Sequence, residues 1–303
     1  MRKLILFLCG AAVVAALPLS AKDKPVRPRI TGIASVRLLV TDAQRSRDFY
    51  SGILALGPGA NRCPKGQPLC FSIQQDQQIE LRQAETAKDP NLLLEVAFET
   101  GDAAQLRGYL QSKGAEPGEL TKSAEGNQSF AVLDPEGHRI VFIQYPSSDN
   151  SITAVNQVST HMIHAGFVVH DRAAEDRFYK DILGFHVYWH GGMKGGEDNW
   201  VDMQVPDGTD WIEYMLGISP DASHKTLGVM NHIALGVPDI HAAQAQLIKN
   251  GWKGTEEPKI GRDGKWQLNL YDPDETRVEL MEFKPTKEPC CSPYTGPHPG
   301  PPQ

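Results

Sequence analysis

The stretch His164-Ala-Gly-Phe-Val-Val-His-Asp171 decides the fold, because the chain repeats its design. It is an apolar strand that ends in an aspartate and is followed by Arg172 to Leu183 with helical spacing, then Gly184. Asn231-His232-Ile-Ala-Leu-Gly-Val-Pro-Asp239 does the same, followed by Ile240 to Asn250 and Gly251. An aspartate side chain caps the free N–H groups of the helix that follows, and a glycine ends it. Two more copies lie upstream. Val36-Arg-Leu-Leu-Val-Thr-Asp42 precedes Phe49-Tyr50 as Asp171 precedes Phe178-Tyr179, and Leu94-Glu-Val-Ala-Phe-Glu-Thr-Gly-Asp102 leads into a helix that stops at Gly114. Each unit is followed by strand-like runs, so the chain reads as four βαβββ modules of the α+β class.

With 303 residues the chain has room for two domains of two modules each. The repeats place the first at 29–146 and the second at 160–284, joined by a polar linker over 147–159. Arg2-Lys3, the apolar run Leu4 to Leu17 and the small pair Ser20-Ala21 read as a signal peptide over 1–21, which implies a periplasmic or secreted protein; an uncleaved N-terminal anchor is the alternative. No membrane attachment is expected after cleavage. The net charge is −7 with no Lys/Arg cluster, which argues against a nucleic-acid partner.

Cys63 and Cys70 bracket a Pro/Gly loop in an oxidising compartment, and a disulfide between them would pin that loop. Cys290-Cys291 can close a strained ring, pair with another chain or bind a soft metal. They lie in a tail, residues 285–303, with seven prolines and no periodicity, which reads as disordered or extended.

Alternate side chains of a strand share a face. His232 and Ala234 therefore point one way and Ile233 and Leu235 the other; His164 and Gly166 repeat this against Ile163 and Ala165. At the closing strand of each module Glu213 alternates with Ile212 and Tyr214, and Glu279 with Val278 and Leu280. The His-to-Glu separation is nearly the same in both modules. If the modules face a common cavity, His164, Glu213, His232 and Glu279 converge as an N2O2 set suited to a divalent transition metal. Glu282 is a rival ligand but falls on the opposite face. His186, His190, Trp200 and Trp266 are candidates to line the cavity, the Gly-rich segment His190 to Asn199 is a candidate lid, and His161, His170, His224 and His241 read as surface residues.

Phe178-Tyr-Lys-Asp-Ile-Leu-Gly184, Asn231-His-Ile-Ala-Leu235 and Asp272-Pro-Asp-Glu-Thr-Arg-Val-Glu-Leu280 resemble the phrases of the vicinal oxygen chelate superfamily, the group of glyoxalase I, fosfomycin-resistance proteins and extradiol dioxygenases. The resemblance implies two tandem glyoxalase-like domains with cupped mixed sheets, and metal positions at His164, Glu213, His232 and Glu279. A glyoxalase-like member uses all four, with Ni, Zn or Co. An extradiol dioxygenase uses the two histidines and the last glutamate, with Fe or Mn. The dioxygenase pattern also expects a Tyr where Asn269 stands and a His within the stretch occupied by Ile260 to Arg262, so glyoxalase-type lyase or isomerase chemistry is favoured. A small substrate with adjacent oxygens would meet the ion, Glu279 would be its constant ligand, and Glu213 the displaceable general base. The remaining readings are ring cleavage and a non-catalytic binding or resistance protein. Modules of this superfamily pair within or between chains, which leaves a homodimer open. In the first domain the same alignment puts Ser35, Glu80, Glu95 and Val141 at the four positions, a set that cannot make the same cage.

Overall fold

Aspartates begin the helices. The Asp42 side chain accepts from the backbone N–H groups of Gln44 and Arg45, Asp102 from Gln105, Asp171 from Ala174, and Asp239 from His241 and Ala242. At the far ends Gly184 and Gly251 take the left-handed conformation, φ 81° and 102°, which costs glycine little. A computed structural model describes residues 25–58, 69–74, 76–84, 92–146 and 156–302. The segments expected to form the signal peptide and most of the linker lie outside the described residues, as does Cys63 with its expected bond to Cys70.

The first sheet contains β1 (Ile30–Val40), β2 (Gly57–Pro58), β3 (Cys70–Gln74), β4 (Gln77–Gln83), β5 (Leu93–Thr100), β6 (Thr121–Lys122), β7 (Gln128–Leu133) and β8 (Arg139–Gln144), in the order β2-β3-β4-β1-β5-β8-β7-β6. The second contains β9 (His161–Val169), β10 (His186–Gly191), β11 (Trp200–Gln204), β12 (Trp211–Leu216), β13 (His232–Val237), β14 (Lys259–Ile260), β15 (Trp266–Tyr271) and β16 (Arg277–Glu282), in the equivalent order β10-β11-β12-β9-β13-β16-β15-β14. Both sheets are mixed. β1 runs parallel to β4 and antiparallel to β5, as β9 does to β12 and β13. This is an α+β fold with two cupped sheets.

Among the described residues, five α-helices complete it: α1 (Ala43–Arg47), α2 (Ala103–Ser112), α3 (Arg172–Asp176), α4 (His224–Met230) and α5 (Ile240–Lys249). α1 and α3 continue into π-helical turns, Asp48–Ile53 and Arg177–Ile182, that bury Phe49-Tyr50 and Phe178-Tyr179. The wider turn sets two consecutive rings into the core, where each pair meets edge to face.

The halves dock reciprocally. Tyr50 donates to Asp272 in the β15–β16 turn, and Tyr179 donates to Asp134 in the β7–β8 turn, both at 3.0 Å. The helix that opens each half therefore grips the closing turn of the other. Apolar residues of both halves make one continuous core, in which Phe98 meets Phe185 with ring centroids 5.4 Å apart.

The C-terminal tail differs from the expectation of disorder. Its described residues form no helix or strand, yet it is laced to the second sheet: the Thr295 N–H donates to the Tyr188 carbonyl, Gln204 to the Pro297 carbonyl, Trp189 to the Cys290 carbonyl, and Tyr294 to the Asp263 carbonyl. Its aromatic and backbone groups satisfy partners far away in sequence, which proline content alone does not reveal. Cys290 and Cys291 are bonded to each other in a vicinal ring.

Candidate metal centre

Four adjacent central strands, β12, β9, β13 and β16, each contribute one of the four residues. Register brings them together: Glu213 and His232 both stand opposite Gly166 from its two sides, His164 is opposite Ala234, and Ala234 is opposite Glu279. Gly166 is required sterically. A Cβ there would lie 2.1 Å from Cε1 of His232, so only glycine leaves room for that imidazole.

His164, Glu213 and His232 each offer a ligand atom within 4.8 Å of the others. The two Nε2 atoms are 3.0 Å apart, and Oε2 of Glu213 lies 3.1 Å from His232 Nε2 and 3.8 Å from His164 Nε2. Oε2 of Glu279 lies 3.8 and 3.9 Å from the same nitrogens. Donors bound to one ion at about 2.0–2.2 Å stand roughly 3.0–3.5 Å from their neighbours, so the cluster is close to the size such an ion requires. His232 Nδ1 is 2.9 Å from the Met230 carbonyl. Donating there places the ring proton on Nδ1 and leaves the Nε2 lone pair facing the cluster.

The electrostatics also call for a cation. Burial first, then the His232 charge and that of Arg277 for His164 and the Arg277 charge for His232, holds both histidines well below their ordinary range and therefore neutral. Burial pushes Glu213 and Glu279 up to about 7, against the opposing pull of Arg277. Two buried carboxylates facing two imidazole lone pairs are costly to leave without positive charge, and the positive group that faces them in this structure is Arg277, 4.0 Å from an oxygen of each. The donor set fits a divalent transition ion.

These groups open into a cavity of about 280 Å³ whose walls include Trp189, Trp200, Trp211, Met193, Asp202 and Asn269. Several of its charged groups escaped the sequence reading. Nη2 of Arg277 lies 2.6 Å from His232 Nε2 and 4.0 Å from a carboxylate oxygen of each glutamate. Arg277 precedes Glu279 by two residues, so strand alternation would have found it. Asp202 is buried opposite Glu213, and burial together with the Glu213 charge raises its carboxyl well above the usual range. Behind it lies Lys265, fully buried, with its ammonium 4.6 Å from the Trp211 ring centroid and 5.3 Å from those of Tyr188 and Tyr294. These contacts depend on cross-strand register and on the tail, for which the sequence carried no signal.

Of the proposed lining residues, Trp200 reaches the cavity, as does Met193 of the Gly-rich segment. Trp266 instead packs beside His241, His190 pairs with Asp198, and His186 lies near Gln204 and Gly296. His161 is not a surface residue: its side chain is 12% exposed and bonds Asp210 at 2.7 Å and the Gly300 carbonyl at 2.6 Å. Glu282 accepts from the Ile240 N–H at the start of α5, away from the cluster.

In the first sheet, register places Ser35, Glu80, Glu95 and Val141 at the equivalent positions, with Arg37 where the second sheet has Gly166. The Arg37 guanidinium bridges Glu80 at 2.8 Å and Glu95 at 2.9 Å, and Arg139 joins Glu95 at 2.8 Å. A fixed guanidinium thus supplies the positive charge beneath a cavity of about 480 Å³.

Residues 161–280 match the family model of the Glyoxalase/Bleomycin resistance protein/Dioxygenase superfamily. A curated relative, a probable chloroplastic lactoylglutathione lyase of Arabidopsis thaliana, is 26% identical over 164 residues, which cover 49% of this chain; the chain spans only 43% of that relative's length. Among solved structures, a substrate complex of homoprotocatechuate 2,3-dioxygenase from Brevibacterium fuscum superposes with TM-score 0.61 at 21% identity, covering 85% of this chain and 82% of that one. The homologous dioxygenase from Arthrobacter globiformis gives 0.62 at 20%, covering 84% and 80%. The structures share the fold with this chain, and members of the superfamily are metal-dependent enzymes, lyases and dioxygenases among them. The second half of the chain thus matches the model of this superfamily, and the chain as a whole shares the two-sheet architecture of these dioxygenases.

Proposed function

We propose that the chain is an exported metal-dependent enzyme that performs glyoxalase I-type isomerase or lyase chemistry on a small substrate with two adjacent oxygens. His164, Glu213, His232 and Glu279 hold its divalent ion, with Ni, Zn or Co favoured. The observation that carries the reading is the position of Glu213, whose Oε2 lies 3.1 Å from His232 Nε2 and so adds a fourth donor to the cluster. The bound ion supplies Lewis-acid stabilisation for negative charge developing on the substrate oxygens.

The chain's own residues then divide the work. The Glu213 side chain is 14% exposed toward the cavity, whereas that of Glu279 is 4% exposed. Glu213 is thus the carboxylate with room to take a carbon-bound proton, and Glu279 the constant ligand. Arg277, Arg262 and Lys259 give the cavity positive charge for an anionic substrate, and the walls of Trp189, Trp200 and Trp211 exclude water. Glu213→Gln is expected to retain the metal and abolish exchange of the substrate's carbon-bound proton. Loss of metal in that variant would remove Glu213 from the role of displaceable base.

A second reading, extradiol ring cleavage with Fe or Mn, is favoured by the likeness to dioxygenases across 85% of the chain. Against it, Asn269, Ile260, Gly261 and Arg262 face the cavity where that pattern expects a Tyr and a His. Oxygen consumption with catechols by the Fe-loaded protein, and none of the proton exchange, would support ring cleavage. A protein that binds metal and ligand but turns over neither substrate type would be a binding or resistance protein. Export rests on residues 1–21, and an N-terminus at Lys22 in the mature protein would support it.

A further inference from the structure

A second group of metal-ligating side chains lies away from this centre, where α3 meets the β7–β8 turn. Asp134, His138 and Glu175 each offer a ligand atom within 4.8 Å of the others. Nδ1 of His138 is 2.8 Å from Oδ2 of Asp134, and Tyr179 donates to the same oxygen at 3.0 Å. Glu175 is completely buried. Its Oε1 accepts from the Glu136 N–H at 3.1 Å, but its Oε2 is buried with no hydrogen-bond partner. The acidic groups acting on it are Asp134, Glu136 and Asp171. A buried carboxylate oxygen with no donor, among other carboxylates, is costly to leave ionised unless something positive is shared.

The chain contains its own comparison. At the reciprocal junction the same tyrosine–aspartate bond joins Tyr50 to Asp272. There the position equivalent to Glu175, four residues after the capping aspartate, is Ser46, and that equivalent to His138, four residues after the turn aspartate, is Thr276. Docking the halves therefore needs the Tyr–Asp bond but neither a histidine nor a glutamate. Both ligating side chains are found at one junction, and they converge on the same aspartate.

We propose that Asp134, His138 and Glu175 form a second divalent-cation site that clamps the two halves together. One imidazole nitrogen and two carboxylates suit a divalent ion such as Zn²⁺ or Mn²⁺. The His138 side chain, 17% exposed, is the edge by which the ion enters. The site is structural: it lies at the junction of the halves, and none of its residues lines the cavity of the other centre.

The test uses the full chain and Zn²⁺ as the probe. The double variant His138→Thr, Glu175→Ser installs the residues of the twin junction, so the docking bond from Tyr179 to Asp134 is kept. In the unaltered protein two equivalents of Zn²⁺ bind, and one is lost in the double variant. In a His164→Ala, His232→Ala background one equivalent remains and raises Tm; adding His138→Thr and Glu175→Ser removes both the ion and the rise. That background separates the result from the fate of the other centre. If the double variant binds as much Zn²⁺ as its parent and shows the same Tm response, or if the background variant binds none, Glu175 is satisfied by a shared proton and the site does not exist. If the background variant does not fold, the comparison of two equivalents with one in the otherwise unaltered chain decides.

Discussion

Nη2 of Arg277 stands 2.6 Å from Nε2 of His232, on the lone pair that a metal ion would take. One lone pair cannot serve both, so an ion held there would require the guanidinium to withdraw toward the cavity. It would then be a positive charge facing whatever the cavity takes up.

Arg277 is therefore predicted to weaken metal binding and strengthen substrate binding. Like charges about 4 Å apart repel by roughly 4 kcal/mol at an effective dielectric near 20, before reorganisation. Arg277→Gln should tighten the ion by about tenfold or more, since 1.4 kcal/mol is a factor of ten, while raising KM. Metal titration and steady-state kinetics on one preparation measure both. Weaker metal binding in the variant would mean that Arg277 supports the centre.

Gly166→Ala tests the steric logic of the cluster. The added Cβ would fall 2.1 Å from the His232 ring, and backbone on both sides prevents an easy escape. Metal affinity should fall at least as far as in His232→Ala, with a stability loss of about 1–3 kcal/mol from overpacking. Calorimetry beside metal titration reads the two effects. An unchanged affinity would show that the imidazole can reach its place by another rotamer.

The four repeated modules, the helix caps and the four clustered side chains were legible because each is local or periodic. Asp239 precedes its helix and His232 alternates with Ile233 whatever the rest of the chain does. Arg277 was equally legible, two residues before Glu279, and was passed over because a cation is not a metal ligand. Asp202, Asp263 and Lys265 were not legible. Their relation to Glu213 and Glu279 depends on cross-strand register and on aromatic residues as distant as Tyr294. The tail was misread for the same reason: its order comes from partners such as Tyr188 and Gln204, not from its own sequence pattern.

The tail should contribute substantially to stability. Tyr294 closes the aromatic box around Lys265 and donates to the Asp263 carbonyl at 2.8 Å. Tyr294→Ala should cost about 3 kcal/mol, within the range for losing a packed aromatic ring, and truncation after Phe283 more. Urea denaturation measures both. A loss under about 0.5 kcal/mol would mean that the tail rests on the sheet without supporting it.

His161 gives stability a pH dependence of known sign. Burial lowers its pKa, but the Asp210 carboxylate and the hydrogen bonds to Asp210 and Gly300 outweigh this and raise it above 6.5. The folded state thus binds the proton more tightly than the unfolded one. The resulting stabilisation is complete below about pH 6.5 and disappears as pH rises through the higher folded value. Comparing the pH dependence of Tm in the wild type and in His161→Gln isolates it. The difference should shrink as pH increases, and a difference that grows would reverse the assignment.

In the proposed centre His164, Glu213, His232 and Glu279 hold one ion in the second half of the chain. Elemental analysis of protein purified without chelators, beside His232→Ala and His138→Thr/Glu175→Ser, tests it most directly. His232→Ala is expected to lose one equivalent of Ni, Zn or Co, while the junction variant keeps that equivalent. An unchanged metal content in His232→Ala, or no metal in the unaltered protein after incubation with each of these ions, would contradict it.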